Sequence, residues 1–480
     1  MKVIKKLSSF IFKHFDIWVY LFIALYTLLA LAVSLGRFWQ FQSFYYDFGI
    51  FDSAIWKVAH FQAPIIHHVN FAGVDRIIFA DHFNPSIFLL SPFYWLTQRQ
   101  EMLLVIQVLA VSGGALVAYK LAKMALKSKV AAFSLVVAFL GYVGMQNALI
   151  SDFHEATIAV LFLMLMFLAI AKKKWGWYFV CLLITLGFKE SFAGLGVGLG
   201  LMLLIRKTNW KVALGTIFVS LVWGFVTIKY VIPYYSGGVY YFAPTVLPET
   251  LGELVTDLTV PAIKWKTVVY SFATFGFLPL FDPSVLPAIF ENFFERFVLS
   301  SYKGINLGMH YNATLSPLMF MGALQVLVWI EKKKKLAKLS GILGIVIILI
   351  VLFLHRFTLR GPLALGYNRV FYQQFAASKY VRDFVKEVPK EGLIMIQNDL
   401  AVRFTHGKLM LLSLDYQKYN PSAVVLNLTP GQNPNILYPL GYEGATRLKD
   451  ELVQDKNYQL TKFADELYLF TRKEVIKQER

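Results

Sequence analysis

The chain has a single cysteine, Cys181, in 480 residues. One thiol closes no disulfide and builds no cysteine metal site within the chain. Charge is also scarce. Asp, Glu, Lys and Arg make up 16% of the residues, against roughly a quarter in soluble domains. Acidic residues are the scarcer sign, 29 against 47 basic, for a net charge of +18. There is no Gly-rich phosphate loop, no Ser-His-Asp pattern and no HExxH helix, so no motif points to P-loop, triad or zincin chemistry. No internal repeat or low-complexity tract appears.

What is present is apolar. Hydrophobic residues make up 57% of the chain, and several runs approach or exceed the roughly 20 residues that cross a bilayer. The expectation is an all-α polytopic membrane protein whose first partner is the lipid bilayer. The basic excess does not indicate nucleic acid, because it falls in short clusters between apolar runs: Lys2/Lys5/Lys6/Lys13, Lys120/Lys123/Lys127/Lys129, Lys172–Lys174, Arg206/Lys207/Lys211 and Lys332–Lys335 with Lys338. With these clusters cytoplasmic, about eleven spans follow, at 17–36, 101–121, 130–148, 156–171, 175–188, 191–205, 211–231, 266–281, 284–299, 311–330 and 337–354. The basic N-terminus and "AVS" at 32–34 also resemble a signal peptide. That apolar run is long for such a segment, and the later spans make sense only if the first helix stays.

Parity sorts the rest. The N-terminus is cytoplasmic, residues 37–100 form a long outer loop, and the tail lies outside. Two domains are expected, a transmembrane one over 1–355 and a soluble extracytoplasmic α/β one over 356–480. In the tail, "SKYVRDFVKEV" (378–388) reads as an amphipathic helix. "GLIMIQ" (392–397), "KLMLLSL" (408–414) and "SAVVLNL" (422–428) read as short buried strands.

The ionisable residues outside the lysine loops gather on the outer side: Asp47 and Asp52 after the first span, Asp81 and His82 in the loop, Asp152, His154 and Glu155 in "SDFHEA", Lys189 and Glu190 in "GFKES", His310 and Tyr311 in "GMHYN", and Arg356 and Arg360 after the last span. Charges at membrane depth are costly and tend to be functional, although span ends are also where charges ordinarily go. Asp47 reads equally as a helix N-cap. Lys189 and Glu190 read equally as a structural ion pair. Asp152, His154 and Glu155 are suitable ligand types for a divalent metal, the one cofactor the sequence suggests. The outward polar cavity fits an enzyme, a transporter or lipid flippase, or a receptor-like assembly protein. Transporters often show inverted repeats, which are absent here.

"DFGIFDSAIW", "HFNPSIFLLSPFYWL", "DFHEA", "KES", "FGFLPLFDPSVLPAIFENF" and "HYNATLSPLMF" follow in order over about residues 45–330. In order and spacing they resemble domain-of-unknown-function family twenty seventy-nine, a prokaryotic membrane family grouped with the glycosyltransferase C (GT-C) superfamily. That superfamily includes the aminoarabinose and protein O-mannosyl transferases. The resemblance implies a multi-pass protein of the cytoplasmic (inner) membrane, with in-plane helices in the first outer loop and a catalytic carboxylate soon after the first span, which lands on Asp47. It places "HFNPSIFLLSPFYWL" where related transferases carry a Lys-Pro-Pro-Leu-like stretch near the lipid phosphate, with His-Phe-Asn-Pro here in its place. It implies an inverting glycosyltransferase with a polyprenyl-phosphate sugar donor at the outer face and an acceptor that the sequence does not name. Asp47, with Asp52 as the alternative, would be the catalytic base. Lys189, His82, His154, His310, Arg356 and Arg360 are the candidates for the lipid phosphate.

Overall fold

A computed structural model describes residues 14–68, 74–243, 247–299, 304–464 and 466–473. The basic cluster Lys2/Lys5/Lys6/Lys13 lies outside these. The chain is mostly helical and divides into two compact units. The first comprises residues 1–33, 82–86 and 105–366, and the second residues 34–81, 87–104 and 367–480. The division therefore falls elsewhere than at the expected 355/356 border: most of the first long loop groups with the tail.

In the first unit apolar helices dominate. Among the described residues, five helices are long and apolar enough to cross a membrane: Phe15–Trp39, Glu101–Ala125, Trp210–Ser236, His310–Lys332 and Leu339–Thr358. A sixth crossing arises if Lys129–Gly141 and Val143–Ile150, bent by 45°, count as one. The bend sits at Tyr142, whose backbone is extended and whose hydroxyl meets Ser271 Oγ at 2.7 Å. Polar residues set the helix starts. Ser128 accepts from Ala131 N, and Asn209 accepts from Lys211 N and Val212 N, the usual way of satisfying free N–H groups. The expected spans 156–171, 175–188 and 191–205 are helices of 17, 12 and 14 residues, shorter than those five: Glu155–Ala171, Trp175–Leu186 and Phe192–Ile205. The pair expected at 266–281 and 284–299 is broken into Ile263–Thr274 and Leu286–Phe294, with the break around "FDPS".

The contacts between loops of this unit fall into two sets. Arg206 pairs with Asp282 at 2.7 Å and bonds Ser284 Oγ, Lys123 pairs with Asp16 at 2.5 Å, and Glu331 accepts from Lys127 N and Ser128 N. Asp16, Lys123, Lys127, Ser128, Arg206 and Glu331 lie at or beside the lysine-bearing ends, and Asp282 and Ser284 in the "FDPS" hinge. The acidic and histidine-bearing motifs make the other set, described below. Each of these contacts joins segment ends that the parity reading puts on one side.

In the second unit, strands β1 (Ile65–His68) and β2 (Val74–Ile77) pair antiparallel, Ile65 opposite Ile77. Strands β3 (Leu393–Ile396), β4 (Lys408–Leu411), β5 (Ala423–Asn427), β6 (Tyr458–Ala464) and β7 (Leu467–Arg472) form one sheet in the order β4-β3-β5-β7-β6. β3 runs parallel to β4 and β5, and β7 antiparallel to β5 and β6. Alternation along β3 sends its side chains to opposite faces. Ile394 and Ile396 pack with Val381 and Phe384 of helix Lys379–Lys386. Met395 packs on the other face with Ala445, Leu448 and Leu452 of helix Gly441–Gln454. Tyr45 from the first loop belongs to the former cluster. The loop thus supplies part of the core of this α/β unit.

Candidate active site

The first unit carries a polar cluster built from helix ends. Glu190, at the turn before helix Phe192–Ile205, is buried and fully engaged. It meets His82 Nδ1 at 2.7 Å, Phe83 N at 3.1 Å and the Tyr240 hydroxyl at 2.8 Å. Burial alone would raise its pKa, but the charge of His82, its hydrogen bond and the charge of Lys189 outweigh that and hold it down at about 2. The His82 ring stacks on Phe242, with centroids 4.3 Å apart.

Glu190 therefore serves His82, and the reading of Lys189–Glu190 as a closed ion pair does not hold: no carboxylate lies within ion-pair distance of the Lys189 ammonium among the described residues. The ammonium is half-buried and lies 5.6 Å from the centre of the Tyr311 ring. Burial works against its charge, but Glu155, Tyr311, Glu295 and Glu190 together outweigh it and hold the amine above its ordinary range. Beside it, His154 and His310 stack with ring centroids 3.6 Å apart. His310 Nδ1 and Glu155 Oε2 are buried without a hydrogen-bond partner among the described residues. Such atoms are costly unless something meets them. Gln107 anchors this corner: its Oε1 accepts from His154 N, and its Nε2 donates to the Asp152 and Leu149 carbonyls. Asp152 takes a left-handed backbone, φ 67°, to make the turn.

Asp152, His154 and Glu155 do not form a metal trio; no group of three such ligands is placed to hold an ion among the described residues. Arg356 and Arg360 are exposed, and no described contact joins them to the cluster. Tyr240 and Phe242 were not legible as site residues. They sit in "GGVYYFAP", which reads as loop, and only the fold brings them to Glu190 and His82.

The two carboxylates after the first span lie in the second unit and differ sharply. Asp47 is half-buried in the turn Tyr45–Gly49. The cap reading fails on register, because helix Ile50–Ala59 begins from Gly49, which has no side chain to cap with. Asp52 is fully buried. The hydroxyls of Tyr94 and Thr405 donate to its two oxygens, and His406 Nε2 lies 3.0 Å away, off the line of a hydrogen bond. Trp56 stacks on the His406 ring at 4.8 Å. Beside that carboxylate, and with its burial, the Tyr94 phenol is pushed well above its ordinary range. Asp81 is buried as well, and its charge favours the protonated form of His68, against the burial of that ring. Tyr94, Thr405 and His406 lie too far from Asp52 in sequence for any local pattern to link them.

No curated protein sequence matches the chain. Among solved structures, the chain resembles ArnT from Cupriavidus metallidurans bound to undecaprenyl phosphate, with a TM-score of 0.53, 13% identity, and coverage of 94% of this chain and 97% of that one. At that identity the likeness establishes the fold, a helical membrane architecture shared along nearly the whole length. The family pattern described as "Predicted membrane protein (DUF2079)" matches residues 37–458, so this chain belongs to that family.

Proposed function

We propose that the protein is an inverting glycosyltransferase that takes its sugar from a polyprenyl phosphate at the outer face of the membrane. The observation that carries the reading is Lys189. It is a half-buried ammonium with no acidic partner at ion-pair distance among the described residues, beside two stacked imidazoles and a tyrosine. A fold keeps such a cation when an anion completes it, and a phosphate leaving group is that anion. The ArnT structure's bound undecaprenyl phosphate supports the same class of partner.

Asp47 takes the proton from an acceptor hydroxyl, a general-base step worth roughly 10² to 10⁴ in rate. The hydroxyl oxygen bonds to the anomeric carbon from the face opposite the phosphate. The carbon–oxygen bond to phosphate breaks, and the polyprenyl phosphate departs with the electron pair, its charge met by Lys189 and the histidines His82, His154 and His310. Asp52 takes no part in the transfer, because both its oxygens are committed. The chain crosses the membrane about eleven times, with the lysine loops inside and the tail domain outside. The two sets of loop contacts support that arrangement.

Lys189→Met tests the site. It keeps the apolar stem and removes the charge. Polyprenyl-phosphate binding by the purified protein should weaken at least tenfold, with insertion and thermal stability near wild type. Binding at wild-type strength would return Lys189 to a lysine that merely reaches for the interface.

A further inference from the structure

The second unit holds a cleft of about 580 Å³, lined by none of the residues assigned above to the transfer. It lies where an open α/β sheet places ligands. β3 sits between β4 and β5 in the sheet. The chain leaves the carboxyl end of β3 toward β4, and leaves that of β5 away from β3. The crevice between two such loops is the customary ligand position of this architecture. Asp399, just after β3, and Asn427, Thr429 and Gln432, at and after the end of β5, line the cleft.

Its chemistry is unusual for so basic a protein. One cation, Arg37, is matched by one carboxylate, Asp399, and the rest of the polar lining is amide and hydroxyl. A primary amide both donates and accepts, as each hydroxyl of a sugar does. The rings of Phe41, Phe44 and Tyr380 add flat apolar walls. The loop after β5 is already set. Asn427 Oδ1 accepts from Thr429 N at 3.1 Å, Thr429 Oγ1 at 2.7 Å and Gln432 Nε2 at 2.9 Å. Gln397 Nε2 donates to Asp399 Oδ1 at 2.7 Å. A site whose groups are fixed beforehand spends less of its binding energy on ordering. No Gly-rich loop or cluster of cations is there to hold a phosphate.

We infer that this cleft binds a neutral saccharide, and that the saccharide is the acceptor of the transfer. The second half rests on the transferase reading; the first does not. Asp399 deepens the fit. Burial pushes its carboxyl up to about 7, against the hydrogen bonds from Gln397 and the Leu400 amide. Near neutral pH it both donates to and accepts from a sugar hydroxyl.

The test is saturation-transfer NMR on the full-length protein in lipid nanodiscs, free of glycoside detergent. The probes are glucose, galactose, mannose and N-acetylglucosamine, with glucose 6-phosphate as the charged comparator. At least one neutral sugar should be saturated, and Gln432→Met and Asp399→Asn should each weaken it about tenfold while the protein remains inserted. No saturation, an unchanged signal in both variants, or preference for the phosphorylated sugar overturns the cleft. Hydrogen exchange of the wild-type protein provides a check independent of the variants. Residues 427–436 should exchange more slowly with the sugar, and unchanged exchange counts against the cleft. In a transfer assay the same variants should raise the KM for the acceptor and leave that for the donor lipid. Transfer with an unaltered acceptor KM removes the acceptor role and leaves the transferase. Sugar binding without any transfer removes the transferase and leaves the cleft.

Discussion

Asp47 and Asp52 are five positions apart and sit in opposite surroundings, one half-buried and one enclosed. Asp52 has no exposed surface and two hydroxyl donors, so replacing it with Asn removes charge-assisted bonds inside a closed pocket. The account expects Asp52→Asn to lower stability by about 2–4 kcal/mol, read as a fall in unfolding temperature. Asp47→Asn should leave that temperature within a degree or two and cost at least a hundredfold in transfer. The reverse pattern would exchange their roles. Asp399 gives a third residue-level test, in pH. Its folded value, about 7, lies above its unfolded value near 4. The fold therefore favours the protonated form. Its contribution is complete below pH 4, declines as pH rises, and is gone above about 7. Asp399→Asn should then be no more stable than wild type at pH 4.5 and more stable at pH 8, by an amount on the order of a few kcal/mol. Thermal unfolding of the two proteins at both pH values checks this. Of these residues, the sequence marked Asp47 and Asp52 as a pair but offered no means to tell them apart. What separates them is enclosure by Tyr94, Thr405 and His406, which only the tertiary fold supplies.

Among elements, "GLGVGLG" in helix Phe192–Ile205 shows packing at its tightest. A Cβ on Gly198 would come within 2.6 Å of the Ala288 Cα on helix Leu286–Phe294. Backbone cannot step aside as a side chain can, and small residues are what permit such close helix contacts in membranes. Gly198→Ala should cost about 1–3 kcal/mol. Gly176→Ala, where a Cβ meets nothing within 4 Å, should be neutral or slightly stabilising. Unfolding temperatures of the two variants in one detergent check both. The elements most legible in advance were those with an unbroken pattern. The three apolar runs of the tail became β3, β4 and β5 within a residue or three, and "SKYVRDFVKEV" became helix Lys379–Lys386. Strands β6 and β7 were missed although Tyr458–Thr461 alternates and Leu467–Phe470 is a short apolar run, and β1 and β2 because "IIHH" and "VDRI" carry only two apolar residues each. The expected spans at 266–281 and 284–299 were weaker in hydropathy and hinged at "FDPS". Pro279, Asp282 and Pro283 break them, and Asp282 instead caps its own turn and pairs with Arg206.

For the whole molecule, the proposed orientation rests on the charge pattern. Asp16 with Lys123, and Glu331 with Lys127 and Ser128, join lysine-bearing ends, and His154 stacks on His310 at another. With Cys181 replaced by Ser, a single cysteine at Lys334 should react with a membrane-impermeant maleimide only after the cells are opened, and one at Asn433 should react in intact cells. What the sequence could not reach at this scale was the grouping of the first loop with the tail. Composition divides the chain at about 355, but Tyr45 packs in the core of the tail's sheet, and no local signal announces a contact made across more than three hundred residues. The central claim concerns what this architecture does with a lipid-linked sugar. Membranes holding the wild-type protein or the Lys189→Met variant, incubated with radiolabelled polyprenyl-phosphate sugars, measure it directly. The account predicts that label leaves the lipid with wild-type protein for at least one sugar, and falls at least a hundredfold short of that with the variant. Label that stays on the lipid, or that crosses the membrane still attached to it, would contradict the account.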